Sequence, residues 1–141
     1  MSRDKKKNLR VFLSYSMEDK ASGNRVKNLL SRRPNVRIFT NEMLSAGEDW
    51  QSKLKEELSN SDLFLVMLSP NSFASSLVLQ EIGAAWGTNK PILVSGTNID
   101  LLSRIPVSIK KSQFINLDEL AEPEKLDKIL EPFEKMESAD A

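Results

Sequence analysis

The chain has 141 residues, and its 20 Lys and Arg balance 20 Asp and Glu, so the formal net charge is zero. This balance argues against a general nucleic-acid-binding protein, which usually carries a basic excess. Because the sequence contains no Cys and no His, it excludes disulfides, thiol nucleophiles, His-dependent catalytic triads and metal sites built from either residue.

Five short apolar segments predict the strands of a parallel sheet. Residues 63–68 are apolar throughout, and residues 10–16 and 91–96 contain the apolar runs VFL and ILV, which is typical of strands buried on both faces. Residues 35–40 and 113–116 are shorter and more polar, which favours positions at the edges of the sheet.

Apolar residues at helical spacing occupy the intervals between these strands. They predict helices at residues 20–32, 48–59 and 71–88, and a last helix that begins at Pro123. Asn71, directly after Pro70, is predicted to be the N-cap of the third helix. Proline at a first helical position is favourable. Residues 100–106 are compatible with one more short helix.

Strands that alternate with helices predict an α/β fold with right-handed crossovers. We therefore expect a flavodoxin-like three-layer sandwich, with a central five-stranded parallel sheet and helices on both faces. One domain is expected at residues 9–134, between a disordered extension (1–8) and a frayed tail (135–141). The lack of a long apolar segment and the polar start, which is no signal peptide, favour a cytoplasmic protein without membrane contact.

Ligands of such sheets bind at the carboxyl ends of the strands. The loops to inspect are therefore residues 14–19, 40–49, 69–76 and 95–98. The sequence has neither GxGxxG nor GxxxxGK[ST], which argues against a dinucleotide-binding fold or a P-loop. No Asp follows the 63–68 strand, so a response regulator is excluded as well.

Two residues in these loops have plain structural interpretations. Asp19 stands where it would cap the helix at 20–32. Trp50 is expected to pack with Leu54 and Leu58, one and two turns further along its helix. The loop ahead of Trp50 is long enough to cover a pocket.

Glu81 interrupts the apolar stripe of the third predicted helix, which consists of Val78, Ile82, Ala85 and Trp86. Two interpretations remain open from the residues alone. The carboxylate is either a reactive group near the cleft or a residue at the edge of the stripe that reaches solvent or pairs with Lys90.

Three segments in order resemble the TIR domain family (Toll/interleukin-1 receptor and resistance-protein domain). The first is the strand sequence FLSY at residues 12–15, and the second is the loop sequence LSAG at residues 44–47. The third begins with LSP at residues 68–70 and runs through Ser75 to Glu81. The resemblance extends from about Leu9 to Phe133, nearly the whole chain.

The resemblance to the enzymatic branch of this family implies cleavage of NAD⁺ between nicotinamide and ribose, with Glu81 as the catalytic residue. The implied products are nicotinamide with ADP-ribose or a cyclic ADP-ribose isomer, in immune or antiphage signalling. NAD⁺ would be the substrate, with no cofactor, no metal and no nucleic acid, and the implied partner is a second TIR domain. The substrate-binding residues expected are Ser14, Tyr15, Ser16, Asn41, Glu42, Leu44, Gly47, Ser75 and Leu77.

The chemistry suits these residue types. Nicotinamide leaves as a neutral molecule because its ring is already cationic, so no general acid is needed. The site has to stabilise an oxocarbenium-like ribose, which a carboxylate does without His. A carboxylate that is half-buried beside apolar groups would act more strongly, because the local dielectric is low.

The sequence departs from the family pattern at two places. Leu77 stands where the enzymes usually carry Trp, four residues before the glutamate, and Thr40-Asn41 replaces an acidic pair, although Glu42 remains. A catalytically silent adaptor that acts by homotypic assembly is therefore the alternative from another class.

A second resemblance concerns residues 81–94, which are similar to a segment of nucleoside deoxyribosyltransferases. Those enzymes also direct a helix glutamate at an N-glycosidic carbon. Leu77-Val78 replaces the Gly-Thr pair that they carry ahead of it. This likeness gives a third hypothesis, an N-glycosidase or transferase acting on nucleosides.

Overall fold

A computed structural model describes residues 8–44 and 49–134 of the chain, and the expected extension and tail lie outside the described residues, apart from Asn8. Its five strands form one parallel sheet in the order β2-β1-β3-β4-β5. This is the predicted flavodoxin-like order, and both segments predicted as edge strands are edge strands. The strands are β1 (Leu9–Ser14), β2 (Val36–Thr40), β3 (Leu63–Leu68), β4 (Ile92–Gly96) and β5 (Phe114–Asn116).

Five α-helices connect or follow these strands in the described residues. They are α1 (Lys20–Ser31), α2 (Trp50–Asn60), α3 (Ser76–Gly87), α4 (Leu117–Leu120) and α5 (Pro123–Glu134). Pro123 begins α5, as predicted. The short helix expected after β4 is a 3₁₀ turn, Ile99–Arg104. Within the described ranges no helix is both long and apolar enough to cross a membrane.

The helix predicted at 71–88 is two elements, and the prediction of Asn71 as its N-cap was wrong. A 3₁₀ turn, Pro70–Ala74, precedes α3, and the extended backbone of Ser75 separates the two. Ser69 Oγ accepts the N–H of Asn71, and Ser75 Oγ accepts the N–H of Val78. Each serine therefore satisfies a donor at the start of its own element.

The two faces of the sheet bury separate apolar clusters. Odd-numbered residues of β1, such as Leu9 and Leu13, pack with α1, α4 and α5. Phe12 packs with α2 and α3 on the opposite face, where Trp50 is partly buried against the cluster as expected. Trp86 was predicted to share this apolar stripe, but it is 49% exposed in the last turn of α3.

The strand order reverses between β1 and β3. From β1 the chain moves outward to β2, and it then returns to the other side of β1 to form β3. In flavodoxin-like sheets this switch point leaves a crevice at the carboxyl ends of the two strands. The residues that follow Ser14 and Leu68 are therefore candidates for a ligand site.

Gly23 allows α1 to lie directly on the ring of Tyr15. A Cβ at this position would stand 2.6 Å from two ring atoms of Tyr15, which is fully buried. Gly83 in α3 is a contrasting case, since a Cβ there meets nothing within 4 Å.

We predict that Gly23→Ala lowers the free energy of unfolding by about 1–3 kcal/mol, because the added methyl overpacks the Tyr15 ring. Gly83→Ala should raise it by roughly 0.5–1 kcal/mol, because alanine favours the helix and has room. Urea titration of both variants checks the pair. Stabilisation of the Gly23 variant would contradict the close packing.

Candidate functional site

Glu81 lies at the switch point and is bonded to the end of β1. Its side chain is 0% exposed, and Oε1 accepts a hydrogen bond of 2.5 Å from Ser14 Oγ. The alternative that Glu81 reaches solvent or pairs with Lys90 was wrong. Lys90 Nζ instead donates to the backbone carbonyls of Ser59 and Ser61, at 3.1 and 2.5 Å.

Burial determines the protonation state of Glu81. Loss of water raises the pKa of Glu81 to about 8, while the Ser14 hydrogen bond acts in the opposite direction. Its second oxygen, Oε2, is buried without a hydrogen-bond partner. The sequence predicted a half-buried carboxylate, but the fold buries the group fully, so the acid is mostly neutral at pH 7.

Asn41 directly follows β2, beside the end of β1. Leu13 pairs with Thr40 across β1 and β2, so Asn41 follows beside Ser14. Asn41 begins a 3₁₀ turn, Asn41–Met43, directly after the extended backbone of Thr40. Asn41 is 3% exposed, and its Nδ2 donates to the backbone carbonyl of Tyr15 at 2.6 Å.

Tyr15 and Glu42 form a second, separate pair. The Tyr15 ring belongs to the α1 face, and its hydroxyl donates to Glu42. Burial first, and then this bond, raise the pKa of Tyr15 to about 12, and the same bond lowers the pKa of Glu42. Tyr15 therefore lies on the face of the sheet opposite to Glu81, and we expect it to support the loops rather than contact a substrate.

Asp19 links the two loops that meet at the switch point. Its carboxylate accepts hydrogen bonds from Ser16 at 3.2 Å and from Ser69, and Oδ1 accepts Asn71 Nδ2 at 3.0 Å. Asp19 was predicted to cap α1, but its side chain accepts no capping bond there. Sequence reasoning missed this link, whose only local signal was an acid soon after a strand end.

The remaining predicted site residues are distributed around this crevice. Ser75 caps α3, Leu77 is partly buried one turn before Glu81, and Leu44 packs at the margin of the α2–α3 cluster. Gly47, in the loop expected to cover the pocket, lies outside the described residues. The structure thus joins Ser14 and Glu81 by a hydrogen bond and places Asn41 after the end of the neighbouring strand.

Other features of the described residues do not suggest a competing centre. No group of three or more His, Cys, Asp or Glu within the two described ranges is arranged to hold a metal ion. A cleft of about 760 Å³ lies at the amino ends of the strands, between α1 and α5. Arg33 and Asn35 at this end are bonded to Glu134, which is a structural connection between the start of β2 and α5.

The arrangement can perform one kind of chemistry at Glu81. A buried acid is suited to stabilise positive charge once it ionises. Ser14 holds one carboxyl oxygen in place, which leaves the other oxygen for a ligand.

Comparisons with known proteins agree with the fold. The TIR domain family model matches residues 11–130. The TIR domain of the Toll-related receptor TRR-2 from Hydra magnipapillata has a TM-score of 0.62 at 15% identity, over 87% of this chain and 96% of that one. The TIR domains of the activated Roq1 resistosome, which recognises the pathogen effector XopQ, give 0.57 at 19% identity, over 68% of this chain and 63% of theirs. No curated protein matches.

We predict that the free energy of unfolding of Glu81→Gln, relative to that of wild type, increases as the pH rises from about 4.5 to 8. Above the ordinary pKa of 4.5, the unfolded chain releases a proton that the folded Glu81 retains up to about 8, so wild-type stability falls over this range. At pH 7 the free energy of unfolding of wild type should be about 3 kcal/mol lower than at pH 4.5 for this reason, because each pH unit contributes about 1.4 kcal/mol.

Thermal unfolding of both proteins between pH 5 and 8 tests this prediction. The exposed Glu56 provides the control Glu56→Gln, which should show no such divergence. If wild type and Glu81→Gln respond to pH in parallel, Glu81 is ionised in the folded state.

Proposed function

Because the chain belongs to the TIR domain family, we propose that it cleaves NAD⁺ at the bond between nicotinamide and ribose. The products are nicotinamide and either ADP-ribose or a cyclic ADP-ribose isomer, and the role is immune or antiphage signalling. The observation that supports this proposal is Glu81, a buried acid at the switch point with one oxygen free.

The charge of the substrate brings Glu81 into its reactive form. A cationic nicotinamide ring beside Glu81 favours the ionised carboxyl group, because an opposite charge lowers its pKa, and the released proton passes to solvent as NAD⁺ binds. As the N-glycosidic bond breaks, its electron pair neutralises the ring and positive charge moves to the ribose. The carboxylate stabilises that charge. Water then adds to the anomeric carbon and releases a proton, or a second group of the same molecule adds and forms a ring.

The residues around Glu81 have distinct roles in this proposal. Ser14 orients the carboxyl group through its hydrogen bond. Leu77 offers apolar contact to the nucleotide, one helical turn away. Ser16 and Ser75 shape the loops at the entrance, while the loop at 41–47, which the resemblance implies as a cover, lies partly outside the described residues.

Access to Glu81 requires movement, because none of its side chain is exposed. The Asp19 link joins the loops that follow β1 and β3, next to Ser14. We propose that homotypic assembly, with a second copy of this chain as partner, favours the arrangement in which these loops admit NAD⁺.

A scaffold without catalysis is the second candidate. Two observations favour it, namely the Leu at position 77 and the complete burial of Glu81. In that case Glu81 is a neutral hydrogen-bonding residue of the core, and the domain acts only through self-association.

We predict that the concentrated protein releases nicotinamide from NAD⁺ and that Glu81→Gln lowers kcat by about 100-fold or more, because the amide cannot stabilise the ribose cation. Chromatography of the products measures the rate. The control Glu56→Gln should retain wild-type activity. No release even when the protein is crowded or tethered would favour the scaffold, and undiminished release by Glu81→Gln would show that another group acts at the ribose.

We predict that Leu77→Trp increases kcat/KM for NAD⁺ by about 3- to 10-fold, because an indole ring stacks on the nucleotide where leucine gives only apolar contact. Leu79→Trp is the matched control, since position 79 lies two residues, and therefore about 200°, further around α3. Equal rates for both variants would show that position 77 does not face the substrate.

A further inference from the structure

One carboxylate connects the loops on the two sides of the switch point. Asp19, in the loop after β1, accepts hydrogen bonds from Ser69 Oγ and, at 3.0 Å, from Asn71 Nδ2, and both donors belong to the loop after β3. Ser14 of β1 pairs with Val66 of β3, so the two loops begin side by side at the carboxyl ends of adjacent strands. The Asp19 link, meaning these two hydrogen bonds, therefore spans the switch-point crevice.

The chemistry of the Asp19 link suits a contact that forms and breaks. A carboxylate accepts stronger hydrogen bonds than a neutral oxygen does, so the link holds the two loops together. Asp19 is only partly buried, however, and Asn71 is exposed, so water can replace these bonds at a modest cost in free energy. A contact of this strength is compatible with an opened arrangement that is populated at about 0.1–10%.

The segment that the link holds leads into α3, which carries the buried Glu81. This segment is the 3₁₀ turn Pro70–Ala74. Phe73, near the far end of the turn, packs against the α2–α3 cluster, and the guanidinium carbon of Arg104 lies 4.2 Å from the centre of the Phe73 ring. Apolar packing thus anchors one end of the turn and the Asp19 link anchors the other. Loss of the link frees one end and leaves the other in place.

We propose that the Asp19 link is an autoinhibitory contact, which keeps the loops after β1 and β3 together and thereby excludes NAD⁺ from Glu81 until the link is released. This inference rests on the proposed function and assigns its regulation to one carboxylate. Glu81 is 0% exposed while the link is intact, so NAD⁺ reaches it only when surrounding segments move. Homotypic assembly then acts by favouring the released arrangement, and a variant without the link needs less assembly.

Nicotinamide release at low protein concentration tests the inference. Asp19→Ala removes both bonds of the link and should raise kcat/KM for NAD⁺ by at least about 10-fold, because the accessible arrangement is more populated. Asn71→Ala removes one bond at an exposed position and should give a smaller increase, about 3-fold. The double variant should be no faster than Asp19→Ala, since the bond of Asn71 is then already absent. Asp118→Ala, which removes an exposed acid of α4, is the control and should leave the rate unchanged.

Amide hydrogen exchange, followed by NMR, measures release of the turn without any substrate. The N–H of Ser72 donates to the carbonyl of Ser69 at 3.0 Å, and it should exchange at least about 10-fold faster in Asp19→Ala than in wild type. The N–H of Leu126, hydrogen-bonded at 2.9 Å in α5, should keep its rate. A purely structural role of Asp19 would lower stability without raising the rate of nicotinamide release.

The outcomes distinguish the link from the proposed cleavage. Faster exchange at Ser72 with no nicotinamide release by any of the proteins supports the link and overturns the cleavage. Nicotinamide release at equal rates by wild type and Asp19→Ala overturns the link and leaves the cleavage intact. Equal acceleration of exchange at Ser72 and Leu126 shows global destabilisation and also overturns the link. If Asp19→Ala does not fold, Asn71→Ala decides between the same outcomes.

Discussion

Burial of β1 between two helix layers leaves each of its side chains one of two directions. Ser14 points to the α2–α3 layer and reaches Glu81, whereas Tyr15 points to the α1 layer and reaches Glu42. A shift of one residue in the register of β1 would exchange these partners and place a phenol against the buried acid. The hydrogen bonds of Ser14 and Tyr15 therefore depend on the alternating directions of successive side chains along this strand.

The same constraint sets the energetics of Glu81. A carboxyl group held against the apolar α2–α3 layer loses its water, and one hydroxyl does not replace it. The folded protein consequently keeps the acid neutral and leaves Oε2 without a partner. A cation that enters the crevice meets a group whose ionisation it favours, so substrate charge and protonation of Glu81 are coupled in the proposed reaction.

Much of the fold could be predicted from the sequence because its signals are local. Unbroken apolar runs such as residues 63–68 indicated the central strands, and more polar ones indicated the edges. The polar contacts could not be predicted in the same way. Asp19 and Ser69 are 50 residues apart and Ser14 and Glu81 are 67 apart, so only the strand order brings them together. Local patterns therefore suggested a helix cap for Asp19, and Asn71 rather than Ser75 as the start of a helix.

Two departures from the family pattern act on different parts of the site. Leu77 changes the apolar wall one turn before Glu81, where a flat ring would add contact area without altering charge. Asn41 changes a polar position next to Ser14, where an acid would place a second negative charge near Glu81 and raise the pKa of Glu81 further. In the proposed reaction, the substitution at position 41 therefore favours ionisation of Glu81, while the substitution at position 77 affects how tightly the nucleotide is held.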